Sequence, residues 1–274
     1  MTAPDQGLHE TAPLAALNID VSYGRERALA GVSMLAPAGR LTVLAGPNGS
    51  GKSTLLSALS RILKPVSGAV LLDGRAMSDM PTREIARTLG LLPQGPLVPE
   101  GITVYDLVCR GRYPHQGFLK QWSAADEEAV GRALSVTGVE ALASRPVESL
   151  SGGQRQRCFI AMTLAQETAI LLFDEPVTFL DLRYQVEVME LIASLSRRHG
   201  RTVVAVLHDI NAALQYADRI VFLKDGRIHD VLENPADCSE EHIHTVFGAK
   251  VTRVTHPLTG KPAFLPSPPT GAAP

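Results

Sequence analysis

Disulfide chemistry and long apolar runs are the first things missing from this sequence. Its three cysteines, Cys109, Cys158 and Cys238, are far apart, odd in number and without CxxC spacing. That pattern suggests neither a disulfide framework nor a zinc knuckle and fits a reducing cytoplasm. No stretch approaches the roughly 18 consecutive apolar residues of a membrane span, so any link to a membrane has to run through a partner. An excess of positive charge is missing too: 26 Lys and Arg stand against 28 Asp and Glu, a net charge of -2. The global field that favours nucleic acid or anionic lipid is therefore absent. The first residues, MTAPDQGLHETAP, carry acid and proline where a signal peptide has an apolar segment, and export is not expected.

What is present suits a packed globular body, with 45% hydrophobic and 20% charged residues. A chain of 274 residues can bury one substantial core with a satellite subdomain. The expectation is a single domain over 14–266 with flexible tails at 1–13 and 267–274. The closing FLPSPPTGAAP, rich in Pro and small residues, is expected to fray.

Three short β-rich runs, LAALNIDV, LAGVSML and LTVLAG, lie between Leu14 and Gly46, broken by glycine, proline and polar turns. STLLSALSRIL then has helical spacing, with a stop at Lys64-Pro65, and GAVLLDG reads as a strand. From about 99 to 165 the pattern turns helical. ITVYDLVCRGR, SAADEEAVGRALSVTG with a Ser123 and Asp126 capping pattern, and GGQRQRCFIAMTLAQ carry it. Beyond, AILLF, TVVAVL and RIVFL alternate with LRYQVEVMELIASLSRR and INAALQYA, the rhythm of a mostly parallel α/β sheet. Lys224-Asp225-Gly226-Arg227 supplies a turn before a short terminal strand.

Gly46-Pro47-Asn48-Gly49-Ser50-Gly51-Lys52-Ser53-Thr54 satisfies GxxxxGK[ST] after an apolar strand and before a helix. Glycines let successive N–H groups point into one concavity, and the helix N-terminus adds partial positive charge for phosphates. Lys52 is expected on the β and γ phosphates of a nucleoside triphosphate. Ser53 is expected on Mg2+, a hard cation that takes oxygen ligands, and Thr54 on a neighbouring phosphate. Ile170-Leu171-Leu172-Phe173 ends in Asp174-Glu175, which places two carboxylates where ligands gather at strand ends. Asp174 suits the outer shell or water-bridged coordination of Mg2+, and Glu175 suits polarising a water for attack on the γ phosphate.

Leu150-Ser151-Gly152-Gly153-Gln154 lies between these two motifs. A serine and two glycines opening a helix form another anion cradle, and the pentapeptide resembles the signature of ABC (ATP-binding cassette) ATPases. The resemblance spans about Leu14 to Pro266. It implies a P-loop NTPase core with an N-terminal antiparallel β subdomain and a helical subdomain bearing the signature. It also implies Mg-dependent ATP hydrolysis and a homodimer in which each ATP lies between the phosphate loop of one subunit and Ser151, Gly152, Gly153 and Gln154 of the other.

By the same resemblance Tyr23 is the adenine-stacking aromatic, and Gln94 senses Mg2+ and the attacking water. His208 is the switch histidine on the γ phosphate, and Asp181 sits in a loop that runs between subunits. An Asp ahead of LRYQVEVMEL is also a fitting helix cap. Val177 stands where many members have Thr, and Phe179 where the wider superfamily has a small residue. An aromatic there is similar to the metal-chelate importer branch.

Gly111-Arg112-Tyr113-Pro114-His115-Gln116 resembles the branch that imports ferric siderophores, with haem and vitamin B12 importers as near relatives. Physically it reads as a Pro-broken polar and aromatic loop, suited to docking a permease helix or to serving as a plain connector. The implied assembly is peripheral at the cytoplasmic face of the cell membrane, with permease subunits and a periplasmic or lipoprotein solute-binding protein. The alternative of another class is a soluble ABC ATPase acting on nucleic acid or ribosomes. One cassette, no sustained heptads and no basic tract weigh against it.

Overall fold

The computed structural model describes residues 12–96, 98–117 and 122–267; of the expected tails, residues 1–11 and 268–274 lie outside the described residues. The chain divides into two compact units, one built from the residues up to Ser78 and from Val204 onward, the other from Asp79–Val203.

In the first unit an antiparallel sheet runs in the order β2-β1-β4-β5, with β1 Leu14–Tyr23, β2 Glu26–Ala36, β4 Ser67–Leu72 and β5 Arg75–Ala76. β1 and β2 form a long hairpin from Leu14 opposite Ala36 to Tyr23 opposite Glu26. Asp20 ties this sheet together. It accepts from Arg27, from Ser67 Oγ at 2.7 Å and from Gly31 N at 2.7 Å, and these bonds, Arg27 first, hold its carboxyl at about 2.

A second sheet in this unit has the order β10-β9-β3-β8, with β3 Leu41–Ala45, β8 Thr202–Val206, β9 Arg219–Lys224 and β10 Arg227–Leu232. β3 and β8 are buried throughout. That explains their continuous apolar character, since parallel strands are covered on both faces. β3 pairs with β9 in parallel, and β10 returns antiparallel across the Asp225-Gly226 turn.

Three expectations are corrected in this unit. The helix after the glycine-rich loop, α1 Lys52–Leu59, stops well short of Lys64-Pro65. Arg61 takes a positive φ of 62°, and Leu63 N folds back to Ser57 O at 3.0 Å, which ends the helical ladder. Nor is β10 terminal. Helix α8 Glu240–Phe247 follows, capped by Ser239 and closed by Gly248 at φ 69°. The hairpin β11 Val251–Thr255 and β12 Pro262–Pro266 comes next. Phe264 therefore lies buried in a strand, 2% exposed, where a fraying tail was expected. Between β8 and β9 sits the short helix α7 Ile210–Tyr216.

In the second unit α2 Thr82–Thr88 leads into β6 Leu89–Leu92, which pairs in parallel with β7 Ile170–Asp174. The helical stretch comprises α3 Val104–Cys109, a 3-10 turn Arg110–His115, α4 Ala124–Thr137 and α5 Gly152–Ala165. Helix α6 Leu182–Arg197 follows β7. The Ser123 and Asp126 pattern forms a reciprocal capping box on α4. Asp126 also pairs with buried Arg112 at 2.9 Å. The Ser123 hydroxyl and then the Arg112 guanidinium hold its carboxyl at about 2, outweighing the opposing effect of burial. Among the described residues no helix is long and apolar enough to cross a membrane.

Candidate functional site

The phosphate loop leaves β3 at Ala45 and closes on itself before α1, with Ser50 N bonded to Pro47 O at 3.2 Å and Leu55 N to Gly51 O at 2.8 Å. Gly46 is obligatory in this fold. Its φ is 152°, and a Cβ there would sit 2.1 Å from Leu223 O, so no side chain fits where the loop crosses β9. Lys52 is 5% exposed, and its Nζ donates to Gly46 O at 2.9 Å and Pro47 O at 2.8 Å. The ammonium thus lies over the loop it was expected to serve. Ser50 Oγ is buried with no hydrogen-bond partner. A phosphate oxygen satisfies such an atom, because an orphaned buried hydroxyl otherwise costs about 1–3 kcal/mol.

In the other unit, β7 delivers Asp174 and Glu175 as expected, and Glu175 turns into a positive φ of 51°. A non-glycine residue there is held against its preference, a form of strain that collects at functional sites. Two donors converge on Glu175 Oε2: Gln94 Nε2 at 2.7 Å and Thr178 Oγ1 at 3.1 Å. The structure thereby brings together two of the predicted residues. It adds Thr178, which was overlooked although it stands only three positions beyond Glu175. With Nε2 engaged, Gln94 retains Oε1 as an acceptor or ligand.

The signature forms the start of α5. Ser151 is the N-cap, its Oγ accepting from Gln154 N at 3.4 Å while Gln154 Oε1 accepts from Ser151 N at 3.2 Å. Gly153 packs directly against Tyr184 of α6, and a Cβ would fall 2.3 Å from Tyr184 Cγ. At Gly152 the nearest atom is Leu180 Cδ2 at 3.5 Å. Tyr184 is a second residue that sequence reasoning missed, since nothing in its surroundings marks a glycine-facing ring.

Asp181 occupies the N-cap position of α6, but its side chain makes no capping bond. The capping expectation is corrected here; nearby, Gln185 Nε2 donates to Leu180 O at 2.8 Å. Apolar groups face solvent on either side of it, with Phe179 in the preceding loop 99% exposed at φ 63° and Leu182 at the start of α6 76% exposed. Tyr23, at the end of β1, is 54% exposed, so its ring has a face to offer. His208 follows β8 and precedes the α7 cap Asp209.

The Gly111–Gln116 segment is not an irregular loop but part of the 3-10 turn Arg110–His115, with Pro114 inside it. It is bonded tightly to the end of α5. A Cβ on Gly111 would meet Met162 O at 2.1 Å, Arg112 Nη1 donates to Ala165 O at 2.7 Å, and His115 Nε2 lies 2.8 Å from Gln166 O. From α2, Arg83 Nε and Arg87 Nε both donate to Pro114 O, at 2.9 and 3.0 Å. Tyr113 remains 62% exposed.

Residues 29–178 match the family model described as ABC transporter. The chain is 47% identical to the petrobactin import ATP-binding protein FpuD of Bacillus anthracis over 90% of this chain and 91% of that one. It is 43% identical to the ferric enterobactin transport ATP-binding protein FepC of Escherichia coli (strain K12) over 93% and 94%. Among solved structures it is similar to an ABC transporter assigned to the metal-chelate type, in an inward-facing conformation, with a TM-score of 0.81 at 26% identity over 94% of this chain and 98% of that chain. It is also similar to a dimeric ATP-binding cassette in a post-hydrolysis state bound to ADP and Pi, with a TM-score of 0.69 at 29% identity over 80% and 97%.

Proposed function

The chain belongs to the ABC transporter family and is the ATP-hydrolysing subunit of such a system; we propose that it drives uptake of a ferric siderophore through a separate transmembrane permease. The observation that carries the enzymatic half is the carboxylate of Glu175 set by Gln94 and Thr178 in a chain that also holds a phosphate loop and a signature. The names of the relatives, one importing petrobactin and one transporting ferric enterobactin, support the cargo.

In this reading residues 14–266 work as one ATPase domain, and two copies form the working dimer. The loop Gly46 to Thr54 and Tyr23 hold ATP from one copy, while Ser151, Gly152, Gly153, Gln154 and Asp181 meet it from the other. Exposed Phe179 and Leu182 beside Asp181 suit a surface that becomes covered on dimerisation. Glu175 orients the attacking water, and Lys52 and His208 act on the γ phosphate.

Mg2+ is part of the proposal. Its proposed ligands are the Ser53 hydroxyl, the Asp174 carboxylate and the Gln94 amide oxygen, each an oxygen donor of the kind a hard divalent cation takes. Bound there, the ion would neutralise charge on the phosphates. The exposed Tyr113 edge of the Arg110–His115 turn is the proposed permease contact, placing the subunit at the cytoplasmic face of the membrane. A periplasmic or lipoprotein solute-binding protein would deliver the chelate from outside.

Cells carrying Lys52→Ala should lose uptake of labelled ferric siderophore while the wild-type chain supports it. Normal uptake in that variant would overturn the assignment. Copurification of the chain with a polytopic membrane protein tests the permease half of the proposal.

A further inference from the structure

We propose that the C-terminal hairpin β11–β12 positions His208, acting through Asn211; the inference rests on His208 contacting the γ phosphate. On the upstream side, Leu207 N donates to Leu44 O at 3.2 Å. That bond fixes the backbone just before His208 to β3, the strand that feeds the phosphate loop. On the downstream side, Asp209 caps α7 by accepting from Asn211 N at 2.8 Å. His208 is the single residue between these two anchors, so the placement of its backbone follows where α7 begins.

Helix α7 has only seven residues. A helix so short has little stability of its own, and tertiary contacts have to place it. The hairpin supplies them. Asn211 Nδ2 donates to Phe264 O at 3.1 Å, and Phe264 N donates to Asn211 Oδ1 at 2.8 Å. The side-chain amide pairs with the backbone of β12 through two reciprocal bonds, as a neighbouring strand would.

One turn along the same face, Gln215 repeats the arrangement. Thr259 Oγ1 donates to its Oε1 at 2.7 Å, its Nε2 reaches Pro262 O at 3.4 Å, and Lys261 Nζ donates to its backbone carbonyl. Buried Phe264 locks the hairpin in place. Removing the Asn211 amide frees the first turn of α7, the end that carries His208, and leaves the Gln215 end fastened.

The test is ATP turnover by the purified full chain, measured in a double-mutant cycle. Asn211→Ala should lower kcat by about tenfold with KM for ATP changed less than about twofold, because misplacing a catalytic group costs rate more than binding. In a His208→Ala background the same substitution should have no further effect. An equal loss of kcat in both backgrounds overturns the proposal, since the amide would then be acting on the fold at large. So does an unchanged kcat for Asn211→Ala where His208→Ala alone is crippled. If His208→Ala leaves kcat intact, the phosphate role of His208 fails first. Should Asn211→Ala not fold, Asn211→Asp keeps the acceptor for Phe264 N–H and is expected to give the same pattern at smaller amplitude.

Discussion

Gln94 Nε2 donates to Glu175 Oε2 at 2.7 Å. The amide fixes one oxygen of the carboxylate proposed to act on water, while Thr178 Oγ1 holds the same atom from a second side. The other oxygen, Oε1, is the one the proposed reaction would offer to water. Glu175→Gln should keep ATP affinity and cut turnover by about 10²–10⁴-fold, the loss typical of a missing general base. Nucleotide titration beside single-turnover hydrolysis checks both halves, and unchanged turnover would remove Glu175 from the role.

The two glycines of the signature should behave differently. Gly153→Ala drives a Cβ against Tyr184 at 2.3 to 2.7 Å, and overpacking of that kind costs about 1–3 kcal/mol. Gly152→Ala meets only Leu180 at an ordinary 3.5 Å. Thermal unfolding should report a loss of stability for the first variant and little change for the second. ATPase activity is expected to fall in the first through displacement of Ser151 and Gln154.

Asp126 is both the partner of buried Arg112 and half of a capping box. Asp126→Ala should destabilise the fold by about 3 kcal/mol, the lower end for breaking a buried pair, because Arg112 keeps Ala165 O and Glu167. The pH dependence follows from the sign of the shift. The folded value, about 2, lies below the ordinary 3.8, so the contribution is complete above pH 3.8 and fades as the pH falls toward 2. Acid unfolding of the variant should lose that part of the slope.

Burial pushes the Cys158 thiol up to about 11 and the Cys238 thiol up to about 12, and it raises Cys109 as well. Thiolate is the reactive form. Native protein at pH 8 should therefore react slowly with a thiol reagent, and all three cysteines should titrate at once in denaturant. Rapid labelling of the native chain would contradict this packing.

Motifs whose chemistry demands a particular backbone were legible from the residues alone. The phosphate loop, the α4 capping box and the strand leading to Asp174 all fall where spacing puts them. The misses have physical causes. α2 and β6 are short, and neither presents a full period of pattern. The β11–β12 hairpin is joined through a His256 to Gly260 turn and secured by side-chain amides of α7, a tertiary device with no local signal. Asp181 has the residue type of a cap without making the bond. The link between Gln94 and Glu175 joins positions 81 residues apart, and only the fold can bring them within 2.7 Å.

The Arg110–His115 turn is fastened through its own main chain and through the Arg112 and His115 side chains, by arginines of α2 and by the end of α5. Shape and surface are thereby separated. The outward side chain at Tyr113, 62% exposed, can be exchanged without altering the contour that displays it. A substitution at Tyr113 should accordingly change what the turn displays while the connection behind it stays the same.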